Sequence, residues 1–248
     1  MKTYTVITGA SSGIGQDTAC KLVQANHNVI IVARRTEKLN ALRQELLNVN
    51  PDVDVVVVTQ DLAKTAELND FYQHLNTQFK IDTWINNAGF DHAGSVASLP
   101  LTTIQNMINT NVTAVTILTN LFVRDHQNEA AQLVNVASLT GYLIWPGSIL
   151  YSATKHFVTA FTEGLANELL DQHAQLRVKI LSPRATETNF NQVATGQPFD
   201  YQHSAMGYNT SEEMAGFMMQ LLNSTAIIGY VNDKYQLELL DHKLMADN

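Results

Sequence analysis

The sequence predicts an α/β fold: a doubly wound parallel sheet of about seven strands with helices on both faces. Three observations carry that expectation. Short β-branched apolar runs alternate with longer helical patterns along the chain. The strand runs are near-continuously apolar, which suits strands buried on both faces. A glycine-rich turn, Thr8-Gly-Ala-Ser-Ser-Gly-Ile-Gly15, joins the first strand to the first helix.

In chain order, the strands are expected at 4–8, 29–33, 53–59, 83–86, 133–137, 178–181 and 226–231, and each is rich in Val, Ile, Thr or Leu. Helices are expected between them at 13–26, 36–48, 64–79, 101–127, 150–172 and 211–223. Such alternation implies right-handed crossovers and one domain over residues 1–248. The stretch at about 186–210, rich in Asn, Gln, Thr and Gly, is long for a plain connection and reads as a functional lid. The tail at about 226–248 starts with the last strand and then runs Tyr235-Gln-Leu-Glu-Leu-Leu-Asp-His-Lys-Leu-Met, which reads as helical.

Composition narrows the function. A net charge of −8 and no basic stripe argue against nucleic acid as a partner. No stretch of about 18 apolar residues exists to span a membrane, and strand residues follow the first few positions directly, so a cytoplasmic protein is expected. The single cysteine, Cys20, falls in the first helix and reads as a buried structural thiol. The eight histidines show no metal-binding spacing, so no catalytic metal is expected.

The glycine turn suits a pyrophosphate. Gly9, Gly13 and Gly15 permit a tight turn and close backbone approach, and the helix N-terminus offers free N–H groups. Ser11, Ser12 and Ile14 belong to the same loop. The second strand ends in Ala33-Arg34-Arg35, where an acidic residue would bond the ribose hydroxyl of NAD. Two guanidinium groups suit a 2′-phosphate instead, so NADP(H) is favoured over NAD(H). Asp61-Leu62 follows the third strand, where a carboxylate could bond an adenine amino group.

Tyr151 and Lys155 stand four residues apart in an expected helix and so share one face. An ammonium beside a phenol favours the phenolate. Ser138, thirteen positions before the tyrosine, ends an apolar run and could hold a carbonyl oxygen. Together they could pass a proton to a carbonyl, or take one from an alcohol, while another group moves a hydride.

The ordered set TGASSGIG at 8–15, Asp61-Leu62, Asn86-Asn87-Ala88-Gly89, Asn111, Ser138 and Tyr151-x-x-x-Lys155 resembles the short-chain dehydrogenase/reductase family through about residue 222. The resemblance implies a Rossmann-type NAD(P)-binding domain and assigns expected roles. Tyr151 would be the general acid in reduction and the base in oxidation. Lys155 would lower the tyrosine pKa and bond the nicotinamide ribose. Ser138 would polarise the substrate oxygen, and Asn111 would help hold a water in a proton relay to Lys155. Asn87, Ala88 and Gly89 would line the cofactor, and Pro183, Thr186 and Thr188 would lie at its nicotinamide end.

Two departures from that family stand out. Arg184 follows Pro183 where the family usually has Gly, so its side chain either swings outward or meets an anionic group. The tail lacks the usual Asp-Gly-Gly ending, which puts the family's tetramer in doubt. A homodimer through helices 101–127 and 150–172 is expected, although their apolar faces (Ile117, Leu118, Leu121, Phe122; Phe157, Phe161, Leu165, Leu169) could be core. Phe90, His92, Leu139, Thr140, Leu143, Ile144 and Trp145, with Phe190, Phe199 and Tyr201 from the lid, are candidate pocket residues. Mostly apolar walls suit a small apolar or aromatic carbonyl or alcohol. The leading expectation is an NADP(H)-dependent carbonyl reductase. A 3-oxoacyl thioester reductase and a non-catalytic NADP(H)-binding scaffold are the alternatives.

Overall fold

The computed structural model describes residues 2–203 and 207–241. Its main sheet has eight strands in the order β10-β9-β6-β5-β4-β1-β2-β3. These are β1 (Thr3–Thr8), β2 (Asn28–Ala33), β3 (Val55–Thr59), β4 (Lys80–Asn86), β5 (Gln132–Val136), β6 (Arg177–Ser182), β9 (Ile228–Val231) and β10 (Leu237–Leu240). A separate two-residue pair joins β7 (Thr186–Glu187) to β8 (Asn209–Thr210). The first seven strands of the main sheet run parallel, and β10 pairs antiparallel with β9.

Alternation within the strands builds two cores. Val29 and Ile31 face one side, where α1 (Gly13–Gln24), α2 (Thr36–Val49) and α8 (Ser211–Leu222) supply Leu22, Leu39, Leu46, Met214 and Met218. Ile30 and Val32 face the other, where α3 (Leu68–Gln78), α5 (Ala114–His126) and α6 (Ile149–Asp171) supply Leu68, Leu75, Leu118 and Leu169. Trp84 of β4 is fully buried there against Phe71, Tyr72 and Phe122. The sheet thus follows the expected doubly wound plan, with helices on both faces. Strand order reverses between β1 and β4, so the carboxyl ends of these strands open a crevice at the switch point.

Three expectations need correction. The main sheet has eight strands rather than about seven. The expected helix 101–127 is α4 (Leu101–Ile108), a π turn at Asn109–Thr113, and then α5. The expected tail helix is a strand: β10 covers Leu237–Leu240, and residues 242–248 of that expectation lie outside the described residues. The physical reason is the open edge of β9. The Asn232 side chain accepts from the N–H groups of Lys234 and Gln236 and shapes a tight turn, with Tyr235 at φ 61°. The returning chain then pairs Leu237–Leu240 with the exposed row of β9 backbone groups, and tertiary pairing overrides the helical propensity of Leu, Gln and Glu. Cys20 is half-buried, and burial pushes its thiol pKa up.

One buried cation ties the two layers together. Lys179 of β6 is 2% exposed and donates to the carbonyls of Leu221, Leu222 and Ser224 at 2.8, 3.3 and 2.7 Å. It closes the C-terminal end of α8, where free carbonyls and the helix dipole favour a positive charge. Lys179→Met leaves those carbonyls without a donor. The expected loss is about 1–3 kcal/mol, or roughly 3–10 °C in Tm by thermal denaturation.

Candidate active site

A cavity of about 530 Å³ opens over the carboxyl ends of β1, β4 and β5. It is lined by residues from the glycine loop, the end of β2, the turn after β4, Ser138, α6 and the segment after β6.

At one end the glycine loop forms a cradle. Gly9 takes φ 69°, and a Cβ there would stand 2.8 Å from Ala88 Cα, so only glycine fits. The Thr8 hydroxyl accepts from the N–H groups of Asn87 and Ala88 at 3.0 and 3.1 Å, and the Asn87 amide donates to Thr8 O at 2.9 Å. These bonds lock the loop after β1 to the end of β4. Ser12 precedes α1 without making a side-chain capping bond, so the first-turn N–H groups remain available to an anion. The Arg35 guanidinium donates instead to Ser11 Oγ (2.7 and 3.2 Å) and Ser12 Oγ (3.0 Å). That contact holds a fixed positive charge on the rim of the cradle. Arg34 lines the same rim and is exposed. Ile14, Asp61 and Leu62 line the wall, and Asp61 Oδ1 accepts from Ala63 N at 3.0 Å.

Asn86 is not part of the wall. It is buried and joins Trp84, Thr119 and Asn135 in a polar network that binds β4 to β5 and α5. Gly13, Asn87, Ala88 and Gly89 are on the cavity. Gly15 and Asn111 do not line it; Gly15 is buried in α1 and Asn111 lies beneath the surface.

At the other end stand Ser138, Tyr151 and Lys155. Ser138 follows β5 in extended backbone, and its Oγ accepts from Thr140 N at 3.2 Å. Tyr151 and Lys155 sit one turn apart on α6, with the ammonium 5.7 Å from the phenol ring centroid. Lys155 Nζ donates to Val136 O at 2.8 Å, which anchors α6 to the end of β5. Asn111 is fully buried in the π turn. Its amide donates to Phe90 O (2.9 Å) and Thr154 Oγ1 (3.2 Å) and accepts from Phe90 N (3.1 Å). A Cβ on Gly89 would lie 3.3 Å from Asn111 Oδ1 and 3.4 Å from Lys155 Nζ, so glycine lets both groups approach the same strip of backbone. Pro183, Thr186 and Thr188 complete the wall.

The family model for short chain dehydrogenase matches residues 3–198. The chain belongs to the short-chain dehydrogenase/reductase family. It is 32% identical over 191 residues to dehydrogenase/reductase SDR family member 11 of Gallus gallus, covering 75% of each chain. It is 34% identical over 194 residues to sulfoacetaldehyde reductase of Chromohalobacter salexigens, covering 77% of this chain and 75% of that protein. Among solved structures, a short-chain dehydrogenase from Sphingobium yanoikuyae in complex with NADPH superposes with TM-score 0.80 at 27% identity, covering 93% of this chain and 87% of that one.

In this short-chain dehydrogenase/reductase, burial acts on both Tyr151 and Lys155. Burial pushes the Tyr151 phenol above its usual range; a hydrogen bond with Ser138 pulls it down, and the charge of Asp91 pushes it up. Burial pulls Lys155 down to about 8.

Arg184 is half-buried and lines the cavity. Its Nε donates to Val231 O at 3.1 Å, and its guanidinium lies 5.8 Å from the Tyr235 ring centroid. It thus clamps the root of segment 186–210 to the β9–β10 turn. Asn209 strengthens the clamp, donating from its backbone to Ala185 O and from its side chain to Tyr235 O. The last turn of α7 (Phe190–Thr195) meets the loop after β4, with Ala93 N donating to Ala194 O.

Phe90, Leu139, Thr140, Trp145, Phe190 and Tyr201 line the cavity as expected. His92, Leu143, Ile144 and Phe199 do not; His92 and Ile144 are exposed, and Phe199 packs edge-on against Tyr201. Asp91, Ser148 and Tyr235 also line the cavity, and no motif in the sequence marks them.

Proposed function

We propose that this protein is an NADP(H)-dependent carbonyl reductase, reversible as an alcohol dehydrogenase, in a single nucleotide-binding domain. The observation that carries the reading is one cavity that joins a phosphate cradle to a serine–tyrosine–lysine set. When bound, the nicotinamide supplies the hydride. Gly9, Ser11, Ser12, Gly13, Ile14, Asp61, Leu62, Asn87, Ala88, Gly89, Pro183, Thr186 and Thr188 hold the cofactor, with Gly15 packed behind the loop. Ser138 and Tyr151 grip the substrate oxygen, and Tyr151 gives or takes its proton. Lys155 replenishes that proton. Asn111, through Phe90 and Thr154, keeps the wall of the relay in place.

Arg35, fixed on Ser11 and Ser12, and Arg34 beside it support NADP(H) over NAD(H), because no carboxylate ends β2. The NADPH in the Sphingobium yanoikuyae structure agrees with this choice. Aromatic walls (Phe90, Trp145, Phe190, Tyr201) support a small apolar or aromatic carbonyl substrate, with segment 186–210 as its lid. A 3-oxoacyl thioester, whose carrier arm is anionic, is the second reading, supported by Arg184 on the cavity wall. A homodimer through α5 and α6 fits Phe157, 40% exposed and stacked on Phe161, while Leu118, Leu121, Phe122 and Leu169 are core. Among the described residues no helix is long and apolar enough to cross a membrane.

An NADPH-consumption screen over ketones, aldehydes, quinones and acyl thioesters, repeated with NADH, tests the reading. Turnover of at least one aromatic ketone or aldehyde with NADPH is the expected result. Tight cofactor binding without turnover across the panel would favour the scaffold alternative. The pH profile offers a second check. Alcohol oxidation needs the Tyr151 phenolate, whose formation burial delays, so its rate is expected to climb through the alkaline range. Ser138→Ala removes the hydrogen bond that lowers the phenol pKa and is expected to move that rising limb to higher pH. A limb that stays in place would separate Ser138 from the proton transfer.

A further inference from the structure

We propose that Asp91 is an ammonium-binding subsite, so that the carbonyl substrate bears a protonated amine. The proposal rests on the carbonyl-reductase reading above and names its substrate class. Asp91 follows Phe90 after β4 and is 7% exposed. Its Oδ1 accepts from His92 N at 2.7 Å, and its Oδ2 accepts from Ser148 Oγ at 2.6 Å. A carboxylate offers about four acceptor positions, and these bonds use two. Among the described residues no Lys, Arg or His forms an ion pair with it. The His92 ring is exposed and acts on it only weakly.

A buried carboxylate without a cation is costly, and burial indeed pushes the Asp91 pKa up. Asp91 lines the same cavity as Tyr151, and its charge is felt by that phenol. The cavity it shares is also lined by the rings of Phe90, Trp145, Tyr151, Phe190 and Tyr201. Ring faces attract cations, and a desolvated carboxylate both attracts and orients them. Lys155 and Arg184 line the same cavity, yet neither forms an ion pair with Asp91, and a buried carboxylate left without a cation beside aromatic rings is complementary to an organic ammonium. The ligand class is therefore an aromatic or alkyl amino ketone and the matching amino alcohol.

The alternative role for Asp91 is structural, fixing its loop to the start of α6 through Ser148. Matched probes separate the two. Binding of 2-amino-1-phenylethanol and of 1-phenylethanol is measured by calorimetry at neutral pH with saturating NADPH, under which neither alcohol reacts. Wild type is expected to bind the ammonium compound about tenfold or more tightly. Asp91→Asn, which keeps the shape and an acceptor, is expected to bring that ratio close to one. Equal binding by wild type, or a ratio that survives Asp91→Asn, overturns the proposal. The wild-type ratio decides even if the variant fails to fold. A parallel turnover assay compares 2-amino-1-phenylethanone, the ketone that matches the amino alcohol, with acetophenone. NADPH oxidation by neither ketone counts against the reductase reading, while the binding ratio still judges Asp91 independently.

Discussion

Tyr151→Phe is expected to lower kcat for carbonyl reduction by about 10²–10⁴-fold, the range that a positioned proton donor contributes. Phenylalanine keeps the ring that packs 5.4 Å from Phe190 and removes only the hydroxyl that meets Ser138. The helix that carries it, α6, holds many other buried residues, so the variant is expected to fold with a near-native Tm. The measurement is NADPH oxidation with the best ketone from the screen, beside a thermal melt. Full activity in a folded Tyr151→Phe protein would show that the proton comes from elsewhere. Lys155 is then the first group to examine, since burial brings it down to about 8 and makes its proton easier to lose near neutrality.

The second large effect belongs to the arginine pair. Replacing Arg34 and Arg35 together with Ala is expected to weaken NADPH binding roughly 10²–10³-fold, since a hydrogen bond to a charged group contributes about 1.5–3 kcal/mol. NADH, without the 2′-phosphate, is expected to lose far less. Arg35→Ala alone should account for more than half of the effect in free energy, because Ser11 and Ser12 hold its guanidinium in place. Fluorescence titration with both cofactors reads the difference. Equal losses for NADPH and NADH would mean that the pair shapes the glycine loop rather than recognising a phosphate.

Some features of the fold and site carry a local signal in the chain and others do not. Gly9, Ser12 and Arg35 were legible because turn, helix start and strand end lie in adjacent stretches, and local geometry binds them. Tyr151 and Lys155 were legible because helical spacing places them on one face. The strands were legible because apolar runs buried on both faces leave a plain signal. By contrast, the sequence of β10 carries a helical signal although it folds as a strand. Its residues carry helical propensity, and only the open edge of β9 decides the outcome. The π turn around Asn111 looks like plain helix in the sequence, since nothing local marks a change in hydrogen-bond register.

What the sequence by itself determined is the doubly wound sheet, the phosphate loop, the basic end of β2 and the ordered serine–tyrosine–lysine set. Those features are set by periodicity and by contacts between near neighbours. Only the tertiary structure decided that Asp91 meets Ser148 across 57 positions, that Arg184 clamps Val231 and Tyr235, and that Tyr151 and Lys155 are both shifted toward their neutral forms. Long-range pairings have no characteristic spacing. Desolvation depends on everything packed around a group, so the protonation of the site is a property of the folded chain.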